Sequence, residues 1–141
     1  MKYMKDALDI AKLAKNDVPV GAVIVQNDEI IAVACNDKEN SNDITAHAEI
    51  LAIKKAAKLK NNWRLDGCEL YVTLEPCPMC AWAIIQSRIS KVYFGSFDKK
   101  YGAFGSVLNF KEYGGKDFEV YGGILEDECN TLLNDFFETI R

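Results

Sequence analysis

Glu69-Leu70-Tyr71-Val72-Thr73-Leu74, then Glu75-Pro76, then Cys77-Pro78-Met79-Cys80-Ala81-Trp82-Ala83-Ile84-Ile85, and after a short gap Lys91-Val92-Tyr93-Phe94-Gly95, carry the reading of the fold. The first six residues are apolar, aromatic and β-branched in a short run, which predicts a strand over 69–74. Pro78 has a fixed φ and no N–H to satisfy, so it suits the first turn of a helix, and apolar residues at Ala81, Ile84 and Ile85 carry that helix to about Ser87. The run at 91–95 predicts the next strand.

Working outward, 2–15 has Met4, Leu8 and Ala11 at helical spacing with Ala7, Ile10 and Ala14 beside them. It predicts an amphipathic helix ended by Asn16-Asp17, with Pro19 holding the chain extended afterwards. Two short apolar runs, 21–25 and 30–35, flank Gln26-Asn27-Asp28-Glu29 and predict a β-hairpin. The polar stretch 36–43 predicts a loop. Thr45 predicts an N-cap for a helix whose apolar stripe is Ala48, Leu51, Ala52, Ala56 and Leu59. Beyond 95, the Gly-rich stretch 98–113 predicts a long functional loop with short helical pieces. A last strand is predicted over 118–121. A last helix follows over 126–140, with Leu132, Leu133, Phe136, Phe137 and Ile140 on one face. An opening hairpin followed by alternating helices and strands predicts an α/β fold: a three-layer α/β/α sandwich around a mixed five-stranded sheet.

The chain has 141 residues, 49% hydrophobic and 27% charged, with neither repeat nor linker. One domain over 1–141 is expected, with a core large enough to need no disulfide staples. The net charge of −4 argues against a non-specific nucleic-acid coat while leaving room for a local basic patch. No apolar run reaches the ~20 residues of a membrane span. Met1-Lys2-Tyr3-Met4-Lys5-Asp6 turns charged too early for a signal peptide, so a cytoplasmic protein is expected. Five cysteines are an odd set, which in that compartment reads as metal ligands or buried thiols.

The single histidine, His47, restricts any imidazole chemistry to one place. Taken alone, Cys77-x-x-Cys80 could be a redox pair, and a histidine at a helix start is commonly just hydrogen-bonded. Together, one His and two Cys at two predicted helix N-termini form a ligand set that zinc prefers. Structural zinc takes four protein ligands. Three with an open position is the catalytic arrangement, in which the pKa of water falls from ~15.7 to ~7. Cys35, Cys68 and Cys129 lie in predicted elements away from these helix starts. Glu49 stands two residues past His47, ~200° around a helix, so it is not expected to be a fourth ligand. It reads either as a first-turn acid favoured by the helix dipole or as the general acid and base beside the metal, and the neighbouring ligand pair favours the second.

His47-Ala48-Glu49 followed by Pro76-Cys77-Pro78-Met79-Cys80 resembles the zinc-dependent nucleoside and base deaminases. The finer resemblance is to their tRNA adenosine deaminase branch. It rests on Pro19-Val20-Gly21-Ala22-Val23, Thr45-Ala46-His47-Ala48-Glu49, Leu70 through Cys77, Ser87-Arg88-Ile89, Phe94 through Ser106 and Asp127-Glu128-Cys129 through Phe136-Phe137. The resemblance implies a cytidine-deaminase-like fold, one Zn2+ per subunit, a homodimer, and hydrolysis of adenosine to inosine at the wobble position (34) of a tRNA anticodon stem-loop. It implies metal ligation by His47, Cys77 and Cys80, and proton transfer by Glu49. Asn36 and Ala48 are implied to bind substrate, with Asp98 and Lys100 near the RNA loop. Asn36 otherwise reads as a turn residue. If it contacts the purine, Asn36→Ala leaves melting temperature near normal.

Two positions depart from the branch. Phe97 stands where many members have Arg before the Asp, and the basic C-terminal segment is here Glu138-Thr139-Ile140-Arg141, about one charge. Lys99 and Lys100 are expected at phosphates, whereas Lys54, Lys55, Lys58, Lys60 and Arg64 read as a solvated helix face. Two alternatives stand beside this reading. A free base or nucleoside deaminase (guanine or cytosine type) shares the zinc motif, but the 98–106 loop and Leu74 before Glu75 favour the tRNA branch. A zinc-stabilised binding module fits poorly with an open fourth position beside Glu49.

Overall fold

A computed structural model describes residues 1–140; Arg141, the last charge of the C-terminal segment, lies outside them. Five strands form one mixed sheet in the order β2-β1-β3-β4-β5. β1 (Gly21–Gln26) and β2 (Glu29–Cys35) are antiparallel and joined by Asn27 and Asp28, at φ 52° and 62°. Two successive positive-φ residues make the tight turn whose twist matches the strands, so each strand runs one residue further into the turn than the sequence reading gave it. β1 also pairs antiparallel with β3 (Cys68–Leu74). β3, β4 (Lys91–Ser96) and β5 (Glu119–Tyr121) are parallel, and α4 (Pro78–Gln86) crosses from β3 to β4.

Alternation along the strands builds the two cores. Ala22, Ile24, Leu70, Val72, Val92 and Phe94 pack under α3 (Ala48–Lys60) and α4. Val23, Val25 and Tyr71 face α1 (Lys2–Ala11) and α5 (Glu126–Thr139). The result is the expected three-layer α/β/α sandwich. At Gly21 a Cβ would run into the Ala7 carbonyl and the Ala11 backbone, so glycine there lets α1 lie directly on β1.

Several expectations shift. α1 stops at Ala11, because Leu13 and Ala14 bond back three residues, to Ile10 and Ala11, and tighten the chain out of the α-helix. The predicted loop at 36–43 contains a helical turn, α2 (Lys38–Ser41), capped by the Asp17 carboxylate, which accepts the Glu39 N–H at 3.2 and 3.3 Å. Thr45 does not cap α3: its hydroxyl donates to Asp43, and His47 is the N-cap residue. Leu59 is 66% exposed and Ile140 64%, so the stripes inferred from spacing are wider than the faces the sheet covers. The 98–113 stretch is, as expected, a long loop with a short helical piece: it carries a Phe104–Asn109 bridge and runs into a 3-10 turn at Lys111–Gly114. Among the described residues, no helix is long and apolar enough to cross a membrane.

Candidate active site

Two helix N-termini meet beside the carboxyl end of β3. His47 is the extended N-cap residue of α3, Cys77 that of α4, and Cys80 lies one turn into α4. The cap of α3 comes from a distance. Asn36, just past β2, accepts the Ala48 N–H on Oδ1 at 2.9 Å and donates through Nδ2 to the Val18 carbonyl at 3.0 Å. One side chain thus ties the entry to β1 and the exit of β2 to the helix that carries His47 and Glu49. Both ends of the amide are engaged, which revises the expectation of a stability-neutral substitution. Asn36→Ala is expected to cost about 1–3 kcal/mol and lower the melting temperature by several degrees. Asn36→Asp, which retains an acceptor at the helix N-terminus, is expected to lose less. An Asn36→Ala protein melting with the wild type would contradict this assignment.

The Nδ1 of His47 lies 3.7 Å from Cys77 Sγ and 3.3 Å from Cys80 Sγ, and the three ligand atoms all fall within 4.8 Å of one another. With Zn–S of ~2.3 Å and Zn–N of ~2.1 Å, a tetrahedral ion sets its N and S ligands about 3.6 Å apart. The donor set and its spacing therefore fit zinc without rearrangement. The two thiols polarise one another. Hydrogen bonding from Cys80, then from His47, pulls the Cys77 thiol down to about 4 despite its burial. The same contact, burial and the neighbouring Glu49 push Cys80 up. His47 is raised, first by its contact with Cys77.

Glu49 is 5% exposed and lines the same cavity as His47 and Cys77. Burial pushes its carboxyl up to about 7, opposed by its backbone hydrogen bond and by His47. It lies outside the three-ligand cluster. The cavity has a volume of about 690 Å³. Asn36, Asp98 and Lys100 also line it, whereas Ala48 is fully buried with its N–H spent on Asn36. Asp98 Oδ1 accepts the N–H groups of Lys100 and Tyr101, each at 3.0 Å, which shapes the turn on the cavity rim.

Sequence reading missed Glu75, which is 2% exposed. Its carboxylate accepts the N–H groups of Asp98, Phe104 and Ser106 at 3.0–3.1 Å and the Ser106 hydroxyl as well. A Cβ at Gly102 would collide with that carboxylate. Glu75 is thus the peg on which the Gly-rich loop hangs. Gly102 and the acid sit 27 residues apart in a span the sequence showed only as strand end and loop. Asp17, read as the end of the first helix, and the α5 residues Asn130, Leu133, Asn134 and Phe137 are further cavity walls, of which spacing had assigned Leu133 and Phe137 to packing.

A family model described as the cytidine and deoxycytidylate deaminase zinc-binding region matches residues 1–96. The chain is 50% identical to a tRNA-specific adenosine deaminase of Bacillus subtilis (strain 168), covering 99% of this chain and 89% of that protein. A solved structure from work on A-to-I editing by tRNA:A34 deaminases superposes with a TM-score of 0.89 at 40% identity, covering 94% of this chain and 100% of that one. A guanine deaminase structure from Bacillus subtilis aligns with a TM-score of 0.67 at 38% identity, over 82% of this chain and 70% of that one.

Proposed function

Since the chain belongs to the cytidine and deoxycytidylate deaminase family, and within it to the tRNA-specific adenosine deaminases, we propose that it hydrolyses adenosine to inosine at the wobble position (34) of a tRNA anticodon loop. The observation that supports this most is the meeting of His47, Cys77 and Cys80 beside a buried Glu49 in a cavity. His47, Cys77 and Cys80 hold one zinc ion per subunit, and the whole chain acts as one deaminase domain. When bound, zinc supplies the Lewis acidity that makes water a nucleophile at neutral pH.

Glu49 takes a proton from the attacking water as its oxygen bonds to C6 of the adenine. It hands that proton to N1 of the ring, then takes the proton of the new C6 hydroxyl and passes it to the departing amine as the C6 carbonyl forms, so that adenosine and water become inosine and ammonia. A carboxyl held at about 7 by burial can accept and return protons at working pH. Asn36 lines the cavity and retains one amide hydrogen and one carbonyl lone pair for the purine. Ala48 acts indirectly, through that Asn36 contact. Asp98 holds the rim turn, and Lys100, exposed on that turn, faces phosphate. An unstacked base in a single-stranded loop reaches such a cavity at least cost.

The enzyme is a cytoplasmic homodimer in this reading. On α4, Met79 and Trp82 are 38% and 47% exposed and would be available to such a partner. The likeness to a guanine deaminase supplies the rival: a free base or nucleoside as substrate. Ammonia release measured in parallel on an adenosine-containing anticodon stem-loop, free guanine and cytidine decides between them. Release from the stem-loop alone is expected, and release from guanine or cytidine alone would overturn the proposal.

A further inference from the structure

Three large aromatic side chains stand exposed around the mouth of the catalytic cavity: Phe97 at 45%, Tyr101 at 57% and Phe137 at 42%. Exposed phenylalanine is costly in water, and three aromatics lining one opening are not core. Lys38, Lys99 and Lys100 line the same cavity. The Lys100 ammonium lies over the Tyr101 ring, 5.4 Å from its centroid. Aromatic faces interleaved with cations are the way proteins hold single-stranded nucleic acid, the rings stacking bases and the cations meeting phosphates.

Phe97 is the best held of the three. It directly follows β4 and packs edge-on against the buried Phe94, with centroids 5.1 Å apart and planes at 86°. A Cβ at Gly122 would collide with Phe94 and crowd Phe97, so the glycine leaves room for both rings. The ring is therefore braced at its edge by the core while nearly half of it faces the opening. A side chain fixed in this way loses little conformational freedom when a flat ligand lands on it.

Resting on the proposed tRNA reading, we infer that Phe97 is a stacking platform for a base adjacent to the target adenosine, a binding contact that carries no charge. Its contribution is independent of salt, unlike that of Lys100. Stacking of one base on one aromatic ring is worth ~1–3 kcal/mol, which at 1.4 kcal/mol per tenfold is roughly 5- to 150-fold in binding.

The test is a salt titration of stem-loop binding by the zinc-loaded protein, with wild type, Phe97→Ala, Phe97→Trp and Lys100→Ala. Phe97→Ala is expected to weaken binding about 10-fold or more with the slope of log K against log[salt] unchanged, and Phe97→Trp is expected to restore it. Lys100→Ala is expected to flatten the slope by about 0.7, the loss of one phosphate contact. Stem-loops made abasic at each neighbour of the target in turn complete a cycle: at one of them Phe97→Ala is expected to lose its effect. Full wild-type affinity in Phe97→Ala overturns the inference. So does a Phe97→Ala loss that persists undiminished on both abasic loops, since that would report packing on Phe94 instead of stacking. Failure of the wild type to bind any stem-loop would refute the tRNA reading itself, a separate outcome.

Discussion

Glu49→Gln is expected to reduce deamination by at least ~10²–10⁴-fold, the range for loss of one general acid–base group. The upper end is expected here because a single carboxylate handles every proton of the reaction. Gln has nearly the same volume and can occupy the same buried position, so fold and metal content are expected to survive. The ligands His47, Cys77 and Cys80 are untouched by the change. Burial supports the structural side of this expectation: an uncharged amide at 5% exposure is easier to bury than a carboxylate, so the melting temperature is expected to stay level or rise. A variant that turns over within a few-fold of wild type would reduce Glu49 to a first-turn acid of α3.

Cys77→Ala and Cys80→Ala are expected to lose the metal and, with it, much of the stability. A ligand that binds only the folded chain stabilises it by about 4.1 kcal/mol at a thousandfold excess over Kd. At roughly 3–5 °C per kcal/mol for a chain of this size, melting is expected to fall by about 12–20 °C. Chelation of the wild type is expected to give the same drop, reversed by added zinc, whereas neither variant recovers. Cys35→Ala and Cys129→Ala are expected to keep a full complement of zinc; both positions lie outside the ligand cluster. Cys129, 1% exposed and pressed against Gly95, is expected to lose packing alone. Full zinc in Cys77→Ala by metal analysis would contradict the ligand assignment.

What could be read from the chain and what could not follows from where each interaction originates. The metal set was legible because its members are chemically distinctive and sit at the starts of two helices, which local rules locate. The layer order was legible because strand alternation separates Leu70 and Val72 from Tyr71 without knowledge of neighbours. The cap of α3 was not legible. Thr45 has the right chemistry at the right distance, yet Asp43 engages it first and Asn36 reaches the helix from 12 residues away. Glu75 was equally hidden, since an acid after a strand looks solvated until the loop that buries it is in place. Phe137 belongs to an apolar stripe in sequence, but the part of α5 that carries it borders the cavity instead of the sheet.

The central claim is most directly tested by sequencing. Zinc-loaded protein is incubated with an anticodon stem-loop carrying adenosine at position 34 and other adenosines elsewhere, and the RNA is reverse-transcribed and read, inosine registering as guanosine. The account predicts guanosine at position 34 alone with the wild type, and adenosine throughout with Glu49→Gln. Adenosine retained at position 34 by a fully zinc-loaded wild type, or conversion spread over all adenosines alike, would contradict it.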